Sequence, residues 1–124
     1  MAKFESFEEI LAWQKAYDVT LQIYRCSSNG EFAKDFGLKD QIRRAAVSVM
    51  ANIAEGHGRR SNTEFANFLN LARGSASEVQ SHLYIAHGLG YIGRAEFNDL
   101  YSSLEEVSKM TLSLAKYLRS SATP

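Results

Sequence analysis

Phe65, Leu69, Ala72, Ala76, Val79, Leu83 and Ala86 recur at alternating spacings of 4 and 3. A seven-residue apolar repeat of this kind marks a helix that packs lengthwise on other helices. It excludes a strand, whose faces alternate at every second residue. Phe97, Leu100, Leu104, Val107, Thr111, Leu114 and Leu118 repeat the pattern at spacings of 3 and 4. Upstream, Leu38, Ile42, Ala45, Val49 and Ile53 draw a third stripe, and Ile10, Trp13, Tyr17, Leu21 and Tyr24 a fourth.

Turn and cap signals separate these stripes. Ser6 with Glu9, and Ser61 with Glu64, have the spacing of capping boxes. Ser27-Ser28-Asn29-Gly30 stops the first stripe, and a glycine-rich reversal from Gly88 to Gly93 separates the last two. Gly56-His57-Gly58 closes the second helix as a glycine C-cap. Helices are expected at about 7–25, 38–55, 62–87 and 94–118, with Phe32 and Phe36 on a connector covering the end of the core. At 124 residues this is one domain spanning 1–124. Four helices with short connections predict an all-α, antiparallel up-down-up-down bundle. Gly74, in the middle of the third stretch, implies a close helix contact.

The second half of the second helix is apolar nearly all round, because Val47, Met50, Ala51 and Ala54 lie off its main stripe. Three partner helices leave such a surface partly uncovered, which points to contact between subunits.

The 14 Lys and Arg residues balance the 14 Asp and Glu residues, so any electrostatic footprint is local. The one cysteine excludes an intrachain disulfide and, with no leader-like apolar start, suggests the reducing cytoplasm. The apolar-rich run 45–54 contains Ser48 and Asn52 and is too short for a bilayer, so no membrane partner is expected.

Arg43, Arg44, Arg59, Arg60 and Arg73 are the candidates for contact with a nucleic acid or a protein partner, since a guanidinium matches phosphate bidentately. Arg60, the more turn-exposed of its pair, is the better candidate for phosphate contact. The alternative is that Arg43, Arg44 and Arg59 pair with Glu55, Glu64 and Glu78 to lock the assembly. Asn52 and Glu55 read either as a polar site within the bundle or as part of an ion pair fixing register. His57, His82 and His87 lack a ligand-spaced partner set, so no metal or other cofactor is expected. No nucleophile elbow, phosphate loop or Cys–His pair appears, and an enzyme is not expected. Cys26 reads as a packed thiol.

The run NIAEGHGRRSNTEFANFLNLARGSASE, with Phe7, Trp13-Gln14-Lys15-Ala16, Gln41-Ile42-Arg43-Arg44-Ala45-Ala46-Val47-Ser48 and Tyr91-Ile92, resembles the protein family encoded in intervening sequences of large-subunit ribosomal RNA genes. The resemblance implies a four-helix bundle assembling as a ring, a homopentamer in known relatives, with RNA or DNA as the suspected ligand. More distantly the chain is similar to the accessory protein of diversity-generating retroelements, which implies a reverse-transcriptase-like protein partner. It departs from relatives at Met50, where they often carry proline, and at Asn67, where they often carry a basic residue. The two expectations for function are therefore a non-enzymatic, oligomeric nucleic-acid-binding protein and an oligomeric scaffold or adaptor.

Overall fold

The computed structural model describes residues 4–122. Among the described residues there are helices and no strand. A 3-10 turn at Phe7–Glu9 precedes α1 (Leu11–Cys26), the one-turn α2 (Gly30–Lys34), α3 (Phe36–His57), α4 (Asn62–Gly88) and α5 (Arg94–Ala122). α4 packs on α3 and α5, and α1 packs on the same two helices. Arg119 reaches Asn67 while Gln80 reaches Tyr101 and Glu105, so α5 returns along α4.

The apolar stripes of α3 and α4 turn inward along their whole length. Ile42, Ile53, Leu69, Leu83, Leu100 and Leu104 are fully enclosed, together with Ile23 from α1 and Phe32 from α2. Burying a side chain of this size contributes about 1.5–3 kcal/mol relative to exposure. Each long helix therefore depends on its neighbours more than on its own propensity.

Several local expectations give way to other interactions. Ser6 makes no side-chain cap; instead the Glu5 N–H donates to Glu9 Oε1 at 3.1 Å, the segment winds as a 3-10 turn, and α1 begins at Leu11. α3 starts at Phe36, two residues ahead of expectation, because Asp35 Oδ1 accepts the Leu38 N–H at 3.1 Å. The connector holds a helical turn, entered through Gly30 at φ +57°, a conformation that favours glycine. Phe32 is buried there, whereas Phe36 is 72% exposed and covers nothing.

The largest correction concerns α1. Its buried face is Ala12, Ala16, Val19, Thr20, Ile23 and Cys26, whereas of the aromatic stripe Tyr17 and Tyr24 are exposed and Trp13 is half-buried against the core. Small residues allow a close approach to α3: the Thr20 hydroxyl donates to Ala16 O at 2.8 Å and reaches Ala46 O on α3 at 3.2 Å. Large rings on that face would hold the two backbones apart.

Two glycines also change roles. A Cβ at Gly74 would meet nothing within 4 Å, so no close helix contact explains it. Gly56 supplies one instead. It is buried inside α3, and a Cβ there would lie 2.7 Å from Phe68 Cβ and 2.9 Å from Phe65 Cδ1. α3 ends at Gly58 with φ −79°, so neither Gly56 nor Gly58 serves as a left-handed cap.

Candidate functional site

The five candidate arginines occupy five different environments. Arg43 reaches from α3 to the end of α1, where Nε donates to Ser27 Oγ at 2.8 Å and Nη2 donates to Tyr24 O at 3.1 Å and to Ser28 Oγ at 2.9 Å. Its guanidinium also lies 4.4 Å over the Tyr24 ring. A helix C-terminus carries partial negative charge and unpaired carbonyls, and a cation there satisfies both. Ser27, Ser28 and Asn29 complete the cap through Ile23 O, Tyr24 O and Arg25 O. Arg43 is therefore a clasp between helices, made without any of the expected glutamates.

Arg44 pairs with Asp40 at 2.8 Å on the same helix, and both side chains are well exposed. Arg59 pairs with Glu55 and lies 4.6 Å over the Phe68 ring, tying the end of α3 to α4. Glu64 serves the α4 cap, where the Ser61 hydroxyl accepts the Glu64 N–H at 3.1 Å. Glu78 sits beside His82 at 3.6 Å. Of the expected arginine–glutamate pairs, only Arg59–Glu55 forms. Arg60 is exposed and makes no hydrogen bond or ion pair among the described residues. Arg73, two turns before Gln80, shares the face that Gln80 turns to α5; its Nε is buried without a hydrogen-bond partner.

The remaining polar candidates are structural in form. Asn52 donates to Ser48 O at 2.9 Å and to Ser48 Oγ at 3.1 Å, and Ser48 meets Ser75 of α4 at 2.9 Å. Glu55, spent on Arg59, bonds no second helix. His57 meets Phe4 O at 2.9 Å, and His87 packs on Phe97 with ring centroids 5.2 Å apart. Among the described residues no three His, Cys, Asp or Glu side chains gather as a metal site would need. Burial, with the nearby Glu96 charge, pushes the Cys26 thiol up to about 11, so it stays protonated and unreactive at neutral pH.

Two surfaces remain. The first is apolar and lies over α1 and α3. Trp13 stacks on Tyr17 at 5.4 Å and receives the edge of Phe7 at 5.1 Å. Beside them Val47, Met50, Ala51 and Ala54 line a hollow of about 210 Å³. Tyr17 and Val47 are 42% and 41% exposed. This is where the surplus apolar face of α3 emerges.

The second surface is electrostatic and was not visible in the net charge. Residues 62–77 of α4 and 107–122 of α5, which lie side by side, carry Arg73, Lys109, Lys116 and Arg119 against Glu64, a balance of +3, with Arg60 on the turn before them. The opposite end of the same helix pair, residues 78–106, carries Glu78, Glu96, Asp99, Glu105 and Glu106 against Arg94, a balance of −4. Lys109, Lys116 and Arg119 were absent from the sequence candidates. The pairing of α4 with α5 sets Arg119 against Asn67, on the helix that carries Arg73.

The sequence model of the 23S rRNA-intervening sequence protein family matches residues 8–113. The chain belongs to this family. A crystal structure from Bacteroides thetaiotaomicron, described as a protein with unknown function from the S23 ribosomal protein family, is similar at 28% identity with a TM-score of 0.78. The match covers 86% of this chain and 99% of that one. No curated protein matches. In this intervening-sequence protein no helix among the described residues is long and apolar enough to cross a membrane.

Proposed function

We propose that this intervening-sequence protein is a non-enzymatic, oligomeric nucleic-acid-binding protein of the cytoplasm. In this reading its four long helices form an antiparallel up-down-up-down bundle. Copies of the chain meet through the apolar α1–α3 surface in a ring, of five subunits by resemblance. The separation of charge along α4 and α5 carries the reading: a chain with no net charge holds a +3 end, a local phosphate footprint.

Binding of the nuclease-treated protein to structured RNA and to duplex DNA, followed across a salt series, tests it. Affinity that falls steeply as salt rises is expected. Binding that is absent at low salt, or indifferent to salt, removes the proposal.

A second reading, an oligomeric scaffold or adaptor for a protein such as a reverse-transcriptase-like enzyme, draws on the other end of the helix pair. Tyr84, Ile85 and Leu89 are exposed there beside the acidic residues. An exposed apolar group rimmed by charge suits a protein partner.

A further inference from the structure

We infer that the phosphate-docking surface is the outer face of α4 and α5 around Arg73, Lys109, Lys116 and Arg119, rather than the arginine turn at Arg59 and Arg60. This deepens the nucleic-acid reading above and rests on it.

The turn offers little free charge. Arg59 is occupied by Glu55 and by the Phe68 ring, which leaves Arg60 alone. The helix pair offers more. Residues 65–77 of α4 and 107–122 of α5 contain no Asp or Glu, and four cations lie among them. Lys109 and Lys116 are exposed, stand two turns apart on one side of α5, and form no ion pair among the described residues, although Lys109 borders a hollow toward α1 that Asp18 and Glu106 also line. Arg119 stands three residues beyond Lys116 and donates from Nη2 to Asn67 Oδ1 at 3.0 Å. That bond holds it toward α4 while leaving its charge uncompensated. Arg73 leans onto the same seam from α4 with no carboxylate partner among the described residues.

Along α5 the distance from Lys109 to Arg119 is about 15 Å, at 1.5 Å per residue. At about 3.4 Å per step on each strand, it runs beside roughly four steps of a duplex. This is the length over which several phosphates can be met at once.

The neutral residues between the cations select the ligand. Asn67, Asn70, Ser77, Ser113 and Ser120 are exposed and polar, and Gly74 leaves space above the backbone. Amides and hydroxyls suit phosphodiester and sugar oxygens. A lipid surface would call for a row of apolar side chains among the cations, and Leu71 is the one large apolar residue exposed among the described residues of these two stretches. The acidic far end, from Glu78 to Glu106, repels the same strand and fixes which end of the helix pair it meets. The occupant is therefore a nucleic-acid backbone, recognised through its phosphates.

The test compares Lys109→Gln/Lys116→Gln with Arg60→Ala, in the full-length, nuclease-treated protein, against a hairpin RNA and a DNA duplex over a sodium chloride series. Both lysines are exposed, and an unchanged melting curve verifies the fold. The lysine variant is expected to flatten the log–log salt slope by about two, and Arg60→Ala by about one or less. Loss on both polymers, or on one alone, supports the strip and names its ligand. A lysine variant that binds like wild type overturns the inference while the nucleic-acid reading stands. Wild-type protein that fails to bind either polymer at low salt overturns both.

Discussion

α1 meets α3 through small residues and carries aromatic rings at its outer edge; α4 and α5 bring leucines to the interior and separated charge to the surface. In the first pair Ala12, Ala16, Ala45 and Ala46 are buried beside Ile23 and Ile42, Tyr17 and Tyr24 are exposed, and Trp13 is half-buried against the core. In the second, Leu83, Leu100 and Leu104 fill the interior, and the outside is polar apart from Leu71, Tyr84 and Ile85 on α4. Cations follow the same division. Arg43, Arg44 and Arg59, which belong to α3 and its end, are all engaged by neighbours, whereas Arg60, Lys109 and Lys116 are left without an ion pair among the described residues. α3 thus exposes apolar area with its arginines engaged, and the α4–α5 pair exposes cations that no carboxylate among the described residues holds. Surfaces of such different chemistry suit different partners: apolar area is covered by another apolar surface, and uncompensated charge by an opposite one.

The division can be broken from the apolar side. Val47→Glu/Ala51→Glu places two charges on the exposed α1–α3 surface, with a change in monomer stability within about 0.5 kcal/mol. Light scattering on the eluting protein should report a smaller mass than wild type. An unchanged mass would mean that copies do not meet there.

Gly56→Ala acts at the seam joining the two pairs. Its Cβ has to displace Phe65 and Phe68, and a loss of about 1–3 kcal/mol in urea unfolding is expected. Gly74→Ala, with open space above it, should be neutral or stabilising by up to about 1 kcal/mol, so the two glycines separate in sign. Equal effects would remove the close-packing account of Gly56.

Arg43→Ala should cost about 2 kcal/mol, since it uncovers the end of α1 and breaks three hydrogen bonds. The Cys26 thiol contributes less. Its folded value lies above its ordinary one, so its contribution is whole below about pH 9 and is lost as pH rises toward about 11. Cys26→Ala should flatten the alkaline decline in stability by on the order of 1 kcal/mol in denaturation curves taken across that window. Arg44→Ala, which breaks an exposed pair on one helix, should change stability by less than about 0.5 kcal/mol. If Arg44→Ala cost as much as Arg43→Ala, tied and free cations could not be told apart by geometry.

Periodicity was a sound guide wherever one stripe dominated. The repeats from Leu38 to Ile53 and from Phe65 to Ala86 face inward as spaced, and the Ser61 cap forms. It failed on α1, where two stripes compete and the bulkier one draws attention. Alanines carry little hydrophobic weight, so a face chosen for closeness looks weak beside one made of aromatics. The roles of Gly74 and Gly56 are hidden for a related reason: a glycine in sequence does not reveal whether its missing Cβ faces a neighbour or solvent. Among the candidate residues, Arg59 beside Glu55 was legible because the pair is four residues apart on one helix. The clasp of Arg43 on Ser27 spans 16 positions and depends on how α1 meets α3. Lys109, Lys116 and Arg119 form no cluster in the linear chain, and the neutral total conceals them.

Asp35 joins parts of the chain that are otherwise far apart. Its Oδ1 holds the first turn of α3, and its Oδ2 accepts the hydroxyl of Tyr91, 56 residues later, at 2.9 Å. Tyr91 in turn stacks on buried Phe32, with ring centroids 5.3 Å apart. The start of one helix and the hinge between two others thus share a carboxylate, and neither can fray without loosening the other. Amide exchange at Leu38 should therefore keep time with opening of the α4–α5 reversal, so that two stretches distant in sequence open as one cooperative unit.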